Sequence, residues 1–559
     1  MKRLLSDVAL LCAFAIVFGP LHATAQVAAT PTAHPDSADV VSWREDLRFM
    51  AREMERRHRN LFHTVPRATF DSAVTSLDQR IPTLARHEII VELARIAALV
   101  QDGHTNVAPT RDPQIGFTTL PVKLYFFKDG LFVRAAHRSQ AKLAGSRVVR
   151  IGGMTPDQAY ARVRELVGRD NEMDARFFAP FLLAMPEILH GLWIMRSPDE
   201  ATFVLELGGR RQTLTLRPLG PASMMPPDTD VSWWPDSAWA DMRSIGSTPP
   251  MWLRENPSTR YWLEYLPSDR LVYAQYNQVA NKEDESIAGF AVRLRTLVDS
   301  APNTRLVLDL RLNRGGNGTL NRPLVLSLIK SRNLEGGGKL FVLIGRSTFS
   351  AAQFLLNELE QYTDAVFVGE PSGGKANSYG DSRKITLPNS RITVRVSTLW
   401  WQEDPRDVRQ WKGPDVAAEL TSRDYARNLD PALEAVRAYR AEPSAAERME
   451  AALEHGSIDE ALRSYREYRA DPRHTYVDTE DQLNSLGYRL LETDRVQAAV
   501  AIFELNAAEH PRSANAFDSL GDGYLQLGRK AAAIRSYRKS LELDSSNSNA
   551  SNRLQELGQ

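Results

Sequence analysis

The chain reads as a multidomain α/β protein, and three observations predict this. Its 559 residues exceed what one hydrophobic core organises. Between 259 and 436, short runs of purely apolar residues alternate with segments of helical period, the pattern of a sheet covered by helices. From 443 to 559 the composition shifts to charged amphipathic helices rich in alanine, with an internal repeat of 34 residues. A helical domain at 40–105 and a strand-rich module at 115–218 precede the α/β core at 259–436.

Taken in order, the N-terminus has the makeup of a secretory signal at 1–25. Lys2 and Arg3 precede an apolar run from Val8 to Phe18, and Ala23-Thr24-Ala25 precedes Gln26. The run is too short for a membrane span, and no other run approaches that length. An exported protein is expected, periplasmic or extracellular. The single cysteine, Cys12, lies inside this segment behind Leu11, which is not the small residue that lipid attachment requires. The mature chain therefore has no disulfide, cysteine–metal site or cysteine nucleophile. Lysine plus arginine equals aspartate plus glutamate, 69 against 69, so no net field draws in nucleic acid or a membrane surface. No metal and no cofactor are expected.

Residues 26–39, rich in Ala, Thr, Pro and Ser, read as a leader. From Ser42 to Leu99 the apolar period is helical: Leu47, Met50, Met54 and Leu61 mark one face, and Ile89, Ile90, Leu93, Ile96 and Leu99 another. Gln101-Asp-Gly-His-Thr105 is a polar loop after an apolar helix. His104 is there either a loop histidine with a structural hydrogen bond or a general base. Residues 115–218 alternate strands with turns and hold one helix, Pro156 to Val167. The segment 220–258 carries Pro221, Pro226, Pro227, Pro235, Pro249, Pro250 and Pro257 among Trp233, Trp234, Trp239 and Trp252, a long connection pinned by buried tryptophans.

In the core, Val272–Tyr276 and Arg305–Leu310 are strands with a helix from Glu283 to Val298 between them. Arg311-Leu-Asn-Arg-Gly315-Gly316 follows the second; its paired glycines let backbone N–H groups face a ligand, while Arg311 and Asn313 brace the loop. The apolar run Leu340–Ile344 feeds a tight turn carrying Ser350, and Ala351, Ala352, Phe354, Leu355 and Leu359 have helical spacing. A serine at a strand-to-helix turn exposes its hydroxyl. The amide after it lies at a helix N-terminus, where free N–H groups favour negative charge. A second buried strand, Ala365–Val368, runs into Gly373-Gly374-Lys375, 25 positions after Ser350. A lysine desolvated enough to lose its proton can activate a serine. In the last segment Leu486-Gly487 recurs as Leu520-Gly521, Ala498-Ala499-Val500 as Ala532-Ala533-Ile534, and Phe503 as Tyr537, with a degenerate earlier copy around Ala452–Tyr468.

Asp102-Gly-His-Thr105, Asp309-Leu-Arg-Leu-Asn-Arg-Gly-Gly316, Thr348-Phe-Ser-Ala-Ala-Gln353 and Val368-Gly-Glu-Pro-Ser-Gly-Gly-Lys375 together resemble the C-terminal processing (tail-specific) peptidases and their tricorn-like relatives, over roughly residues 40–435. The resemblance implies a ClpP/crotonase-like core with Ser350 as nucleophile. It implies the amides of Gly316 (or Gly315) and Ala351 as the oxyanion hole. It implies Lys375 as base in the serine–lysine branch, or His104 in the tricorn-like branch, and Lys375 is the preferred assignment. Two departures bear on this. Tyr379 stands where the serine–lysine branch has a glutamine, and the acid that orients a histidine falls on Asp407 or Glu403 without exact register. Residues 143–154 resemble the family's PDZ module, and the 34-residue repeats resemble tetratricopeptide repeats, which could present a groove to a protein partner. The implied function is an exported serine endopeptidase acting on unfolded or C-terminal polypeptide segments. The alternative is a non-catalytic peptide- or hydrophobic-ligand-binding scaffold on the same fold.

Overall fold

Six strands form the central sheet: Tyr261–Leu266, Leu271–Tyr276, Arg305–Asp309, Leu340–Ile344, Val366–Gly369 and Val416–Ala417 lie side by side in that order. The first pair is antiparallel and every later pairing is parallel. These features come from a computed structural model that describes residues 37–559 except 222–232, 235–236, 244–247, 256–257 and 406. The signal peptide expected at 1–25 lies outside these residues, as do most of the leader and Pro226, Pro227, Pro235 and Pro257.

The strands read as continuous apolar runs because both faces of the sheet are covered. Val272, Ala274, Leu306, Leu308, Leu340, Val342 and Ile344 point to one face, beneath the helices Ile287–Asp299, Arg322–Ile329 and Ala351–Tyr362. Leu271, Tyr273, Val307, Phe341, Leu343, Val366 and Val368 point to the other, beneath the helix Pro431–Ala438. The two-residue alternation sorts them, and a one-residue slip would exchange the faces. The helix expected from Glu283 begins instead at Ile287, because Ser286 caps it by accepting the Gly289 N–H.

Ahead of this sheet, a second sheet runs Val122–Phe127, Gly130–His137, Arg147–Ile151, Ala201–Leu207 and Arg210–Leu216 in antiparallel order, with Trp239–Asp241 paired to Gly130–His137. Its buried side chains share one continuous apolar cluster with the helices Ser37–Arg57, Arg67–Arg80 and Arg86–Ala98, and with the strands Arg383–Thr386 and Thr393–Val396. The region 115–218 holds more helix than its sequence suggested: Glu172–Leu182 and Pro186–Gly191 join Pro156–Val163. Glu172–Leu182 was masked by Pro180 in its interior. Its start is nevertheless well signalled, since Asn171 accepts the Met173 and Asp174 N–H groups. Trp233 and Trp252 are buried edge-on against each other at 4.9 Å.

The C-terminal segment is a series of antiparallel helix pairs: Ala445–His455 with Ile458–Ala470, Glu480–Glu492 with Val496–Glu509, and Ala514–Gln526 with Lys530–Leu543, closed by Ser548–Glu556. The repeated residues do the same job in successive pairs. A Cβ at Gly487 would lie 2.3 Å from the Phe503 ring, and one at Gly521 would lie 2.5 Å from the Tyr537 ring. Glycine therefore recurs 34 residues apart because the partner helix lays an aromatic ring against the backbone there.

Candidate active site

The site lies where four consecutive strands of the central sheet end, the edge at which open α/β sheets present their loops. After Leu340–Ile344 the chain makes a turn closed by Thr348 N–H to the Gly345 carbonyl at 2.8 Å and anchored by Thr348 Oγ1 to the Leu310 carbonyl at 2.9 Å. Phe349 N–H reaches the Asn313 carbonyl at 3.1 Å, and Gly373 N–H the Thr348 carbonyl at 2.9 Å. Ser350 is thus held between the loops that leave both neighbouring strands. Its φ is +57° with ψ −126°, a strained conformation for a residue with a side chain. Such strain costs about 1–3 kcal/mol and persists only where the surroundings impose it. Its hydroxyl caps nothing in the helix that follows. The turn lifts Oγ off the helix rather than spending it there.

Oγ lies 3.0 Å from His104 Nε2. The sequence reading preferred Lys375 as the basic partner, but the hydrogen bond to Oγ comes from His104. Among the described residues Lys375 makes no hydrogen bond to Ser350, and His104, from the other end of the chain, does. The Gly-Gly-Lys motif has a packing explanation. A Cβ at Gly373 would lie 2.4 Å from the Arg346 carbonyl oxygen, and one at Gly374 3.1 Å from Gln353. The loop is pressed beneath the start of the serine helix, and Ser372 Oγ donates to Gln353 Oε1 at 2.6 Å.

The loop carrying His104 is fastened at several points. His104 N–H donates to Asp102 Oδ1 at 2.7 Å, and Gly103 N–H to Asp170 Oδ1 at 2.8 Å. Asp102 also accepts Ser397 Oγ at 2.8 Å and His58 Nε2 at 2.9 Å. Because His58 Nδ1 accepts the Asn60 N–H at 3.0 Å, Nε2 carries the proton given to Asp102. Burial alone would raise the Asp102 carboxyl, but the His58 hydrogen bond and the nearby histidines hold it below its ordinary value. Asp170 is pushed up by burial. Gly103 permits the approach of Phe349, whose ring a Cβ there would meet at 2.6 Å. The His104 imidazole stacks on that ring at 4.7 Å and 28°. Behind it, Asp174 pairs with Arg314 at 3.1 Å, both buried, and burial lifts the Asp174 carboxyl to about 7.

Neither expected orienting acid bonds to His104. Asp407 is committed to Arg409 at 2.6 Å, and Arg409 also grips Glu360. Glu403, raised to about 7 by burial, bonds to Asn357. His104 Nδ1 is buried without a hydrogen-bond partner among the described residues. The imidazole is held by its backbone and by stacking rather than by a carboxylate on its ring. Tyr379, at the position of the glutamine the serine–lysine pattern would have, packs instead on His63 at 4.4 Å, His58 at 5.0 Å and Trp400 at 4.5 Å. Burial lowers His63 to about 4. Sequence reading missed His58, Asp170 and Ser397. Their roles appear only when loops from distant parts of the chain meet, and nothing in their local sequence marks them.

Among the described residues, two backbone N–H groups of the loops around Ser350 have no hydrogen-bond partner. Ala351 opens its helix, and its N–H has no partner among the described residues. Gly316 bridges Val279 in parallel register: Val279 N–H bonds the Gly315 carbonyl at 2.8 Å, and Asn317 N–H the Val279 carbonyl at 2.9 Å. That register spends the groups on either side of Gly316 and turns its own N–H away from Val279. Gly315 is excluded as a donor because its N–H goes to Asn313 Oδ1 at 2.8 Å. At Gly315 a Cβ would lie 2.8 Å from both Ser350 Cβ and Ala351 N, so glycine is required for this loop to pack against the serine turn. Arg311 and Asn313 are braces: Arg311 spans Asp309 and Asp430, and Asn313 Nδ2 holds the Tyr276 carbonyl at 2.8 Å.

Beside the serine the short strands Ser378–Gly380 and Leu399–Trp401 pair antiparallel. Leu399, Trp400 and Trp401 are all exposed, an apolar shelf. Gly380 on this hairpin sits so that a Cβ would come to 4.0 Å from His104 Cε1 and 3.2 Å from Trp401.

No family model matches the chain, and no curated protein does. Solved structures with related topology include mature CPAF complexed with lactacystin, at 13% identity over 71% of this chain and 97% of that one, TM-score 0.49. The photosystem II D1 C-terminal processing protease matches at 15% identity over 69% and 99%, TM-score 0.31. The tricorn protease matches at 12% identity over 71% of this chain and 36% of that one, TM-score 0.29. At these scores the likenesses carry no argument about activity, and the chemistry rests on the geometry of the site.

Proposed function

We propose that the protein is a serine endopeptidase with Ser350 as nucleophile and His104 as general base. The observation that carries this is the 3.0 Å contact between His104 Nε2 and the hydroxyl of a strained, uncapped Ser350. His104 removes the Ser350 proton as Oγ attacks a peptide carbonyl, and the oxyanion is received by the Gly316 and Ala351 N–H groups. Each such donor is worth roughly 3 kcal/mol in the transition state. The imidazolium then protonates the leaving amine, and a water activated by the same imidazole hydrolyses the acyl ester and frees Ser350.

Substrates are unfolded or C-terminal polypeptide segments, and the Leu399–Trp401 shelf receives an apolar side chain next to the scissile bond. The protein is exported, and its helical repeats offer a concave surface to a protein partner. Among the described residues no helix is long and apolar enough to cross a membrane.

A serine-directed fluorophosphonate tests the reading. Labelling is expected at Ser350 in the wild type and absent in Ser350→Ala. Because that hydroxyl caps nothing, stability of the variant should stay within about 0.5 kcal/mol of wild type. Hydrolysis of an unstructured peptide at the wild-type rate by Ser350→Ala would sink the proposal.

A further inference from the structure

Away from the catalytic loops, three metal-ligating side chains converge where the helix Arg86–Ala98 meets the helix Pro186–Gly191. His87 Nε2 faces His190 Nδ1 at 2.8 Å, and Glu88 Oε1 lies 3.9 Å from that same His190 nitrogen. All three ligand atoms fall within 4.8 Å of one another. The arrangement is preset by the backbone. Glu88 is the third residue of its helix and spends only Oε2 on the Ala85 N–H, at 2.7 Å, which leaves Oε1 turned toward the histidines. The two helices pack closely, because Gly191 admits Val91 so near that a Cβ would meet it at 2.9 Å.

We propose that His87, Glu88 and His190 bind a divalent transition cation of the zinc kind. Two imidazoles and one carboxylate are a donor set suited to zinc, with a fourth position left for water. Ligand atoms around a tetrahedral zinc stand about 3.3 Å apart, given bond lengths of roughly 2.0–2.1 Å. Two of the separations, 2.8 and 3.9 Å, bracket that value, so movement of the side chains alone would seat the ion. His87 is buried, and His190 and Glu88 are 21% and 13% exposed, so an ion can enter from the His190 side. Asp199 adds negative charge nearby; Arg86 is turned to the Gln114 and Ile115 carbonyls. The helix Arg86–Ala98 runs directly into the loop that presents His104, so the ion would clamp the far end of the element that delivers the proposed base.

The test uses the full chain, stripped with a chelator and then titrated with Zn(II) alone by calorimetry, and with Co(II) to read its visible absorption. One equivalent is expected to bind, give a tetrahedral Co(II) spectrum and raise the melting temperature. His190→Asn should weaken binding by more than the roughly 10–100-fold that loss of a supporting group costs. Glu88→Gln should also weaken it while keeping the helix cap, since glutamine serves that cap equally. It decides the matter if His190→Asn folds poorly. His104→Ala separates this site from the histidines around the serine and should bind metal as wild type does. Failure of wild type to bind, unchanged binding in Glu88→Gln, or loss of binding in His104→Ala alone would each overturn the proposal.

Discussion

At the scale of single residues, the serine and its partner are set by different kinds of force. Ser350 is fixed by backbone geometry, with a positive φ that the flanking hydrogen bonds to Asn313 and Leu310 hold in place. His104 is fixed by contacts between segments 246 positions apart. The proposed mechanism predicts opposite outcomes for the two basic groups near the site. His104→Ala should lower kcat by at least the roughly 10²–10⁴-fold that a general base supplies, with little change in KM. Lys375→Ala should keep kcat within about tenfold of wild type, a barrier change of about 1.4 kcal/mol. Steady-state kinetics on a fluorogenic peptide reads both. A dead lysine variant beside an active histidine variant would return the role to Lys375.

At the scale of elements, the loop Gln101–Thr105 is fastened by Asp102. That carboxylate receives the His104 amide, Ser397 and His58. Its pKa in the fold lies below the ordinary value of 3.8, so the ionised form is the one the fold prefers. The unfolded chain therefore binds the proton more readily. The stability contributed by Asp102 is present above pH 3.8 and is lost as pH falls through the lower pKa of the folded state. Asp102→Asn should accordingly be less stable at neutral pH and lose part of the acid limb seen in wild type. It should also lower kcat, because the His104 loop loses its anchor. Urea melts across pH 2–7, compared between the two chains, measure this; identical acid limbs would show that Asp102 does not hold the loop.

At the scale of the whole molecule, the proposed catalytic groups all precede residue 436, and the helix pairs after 443 pack mainly on their neighbours. The turn after the first helix pair joins the two. The turn around Tyr476 lies on the core, where a Cβ at Gly413 would come within 2.4 Å of the Tyr476 carbonyl oxygen, and burial against Glu419 raises the Tyr476 hydroxyl. Deleting 443–559 should therefore lower the melting temperature of the core while leaving kcat on a short peptide within the same order of magnitude. Turnover of a full-length unfolded protein substrate should fall further than peptide turnover. Loss of peptide hydrolysis in a soluble truncated chain would show that the repeats are needed to build the site.

The sequence by itself determined the parts of this protein that local rules govern. Continuous apolar runs specified the buried parallel strands, because a strand covered on both faces has no polar side to show. The strand-to-helix turn at Ser350 and the glycine pair at 315–316 were legible because tight turns and close backbone approach restrict residue type. The 34-residue period announced the helix pairs. Tertiary structure decided which basic group meets the serine. Lys375 is near in sequence and His104 is far, but hydrogen bonding acts over about 3 Å of space, and separation along the chain says nothing about that distance. Which of the Gly315 and Gly316 amides is hydrogen-bonded was decided the same way, since the Gly315 N–H goes to the Asn313 side chain while the parallel bridge at Val279 leaves the Gly316 N–H unspent. The acids expected at Asp407 and Glu403 were drawn off by Arg409 and Asn357, partners from elsewhere in the packed fold that local sequence could not specify.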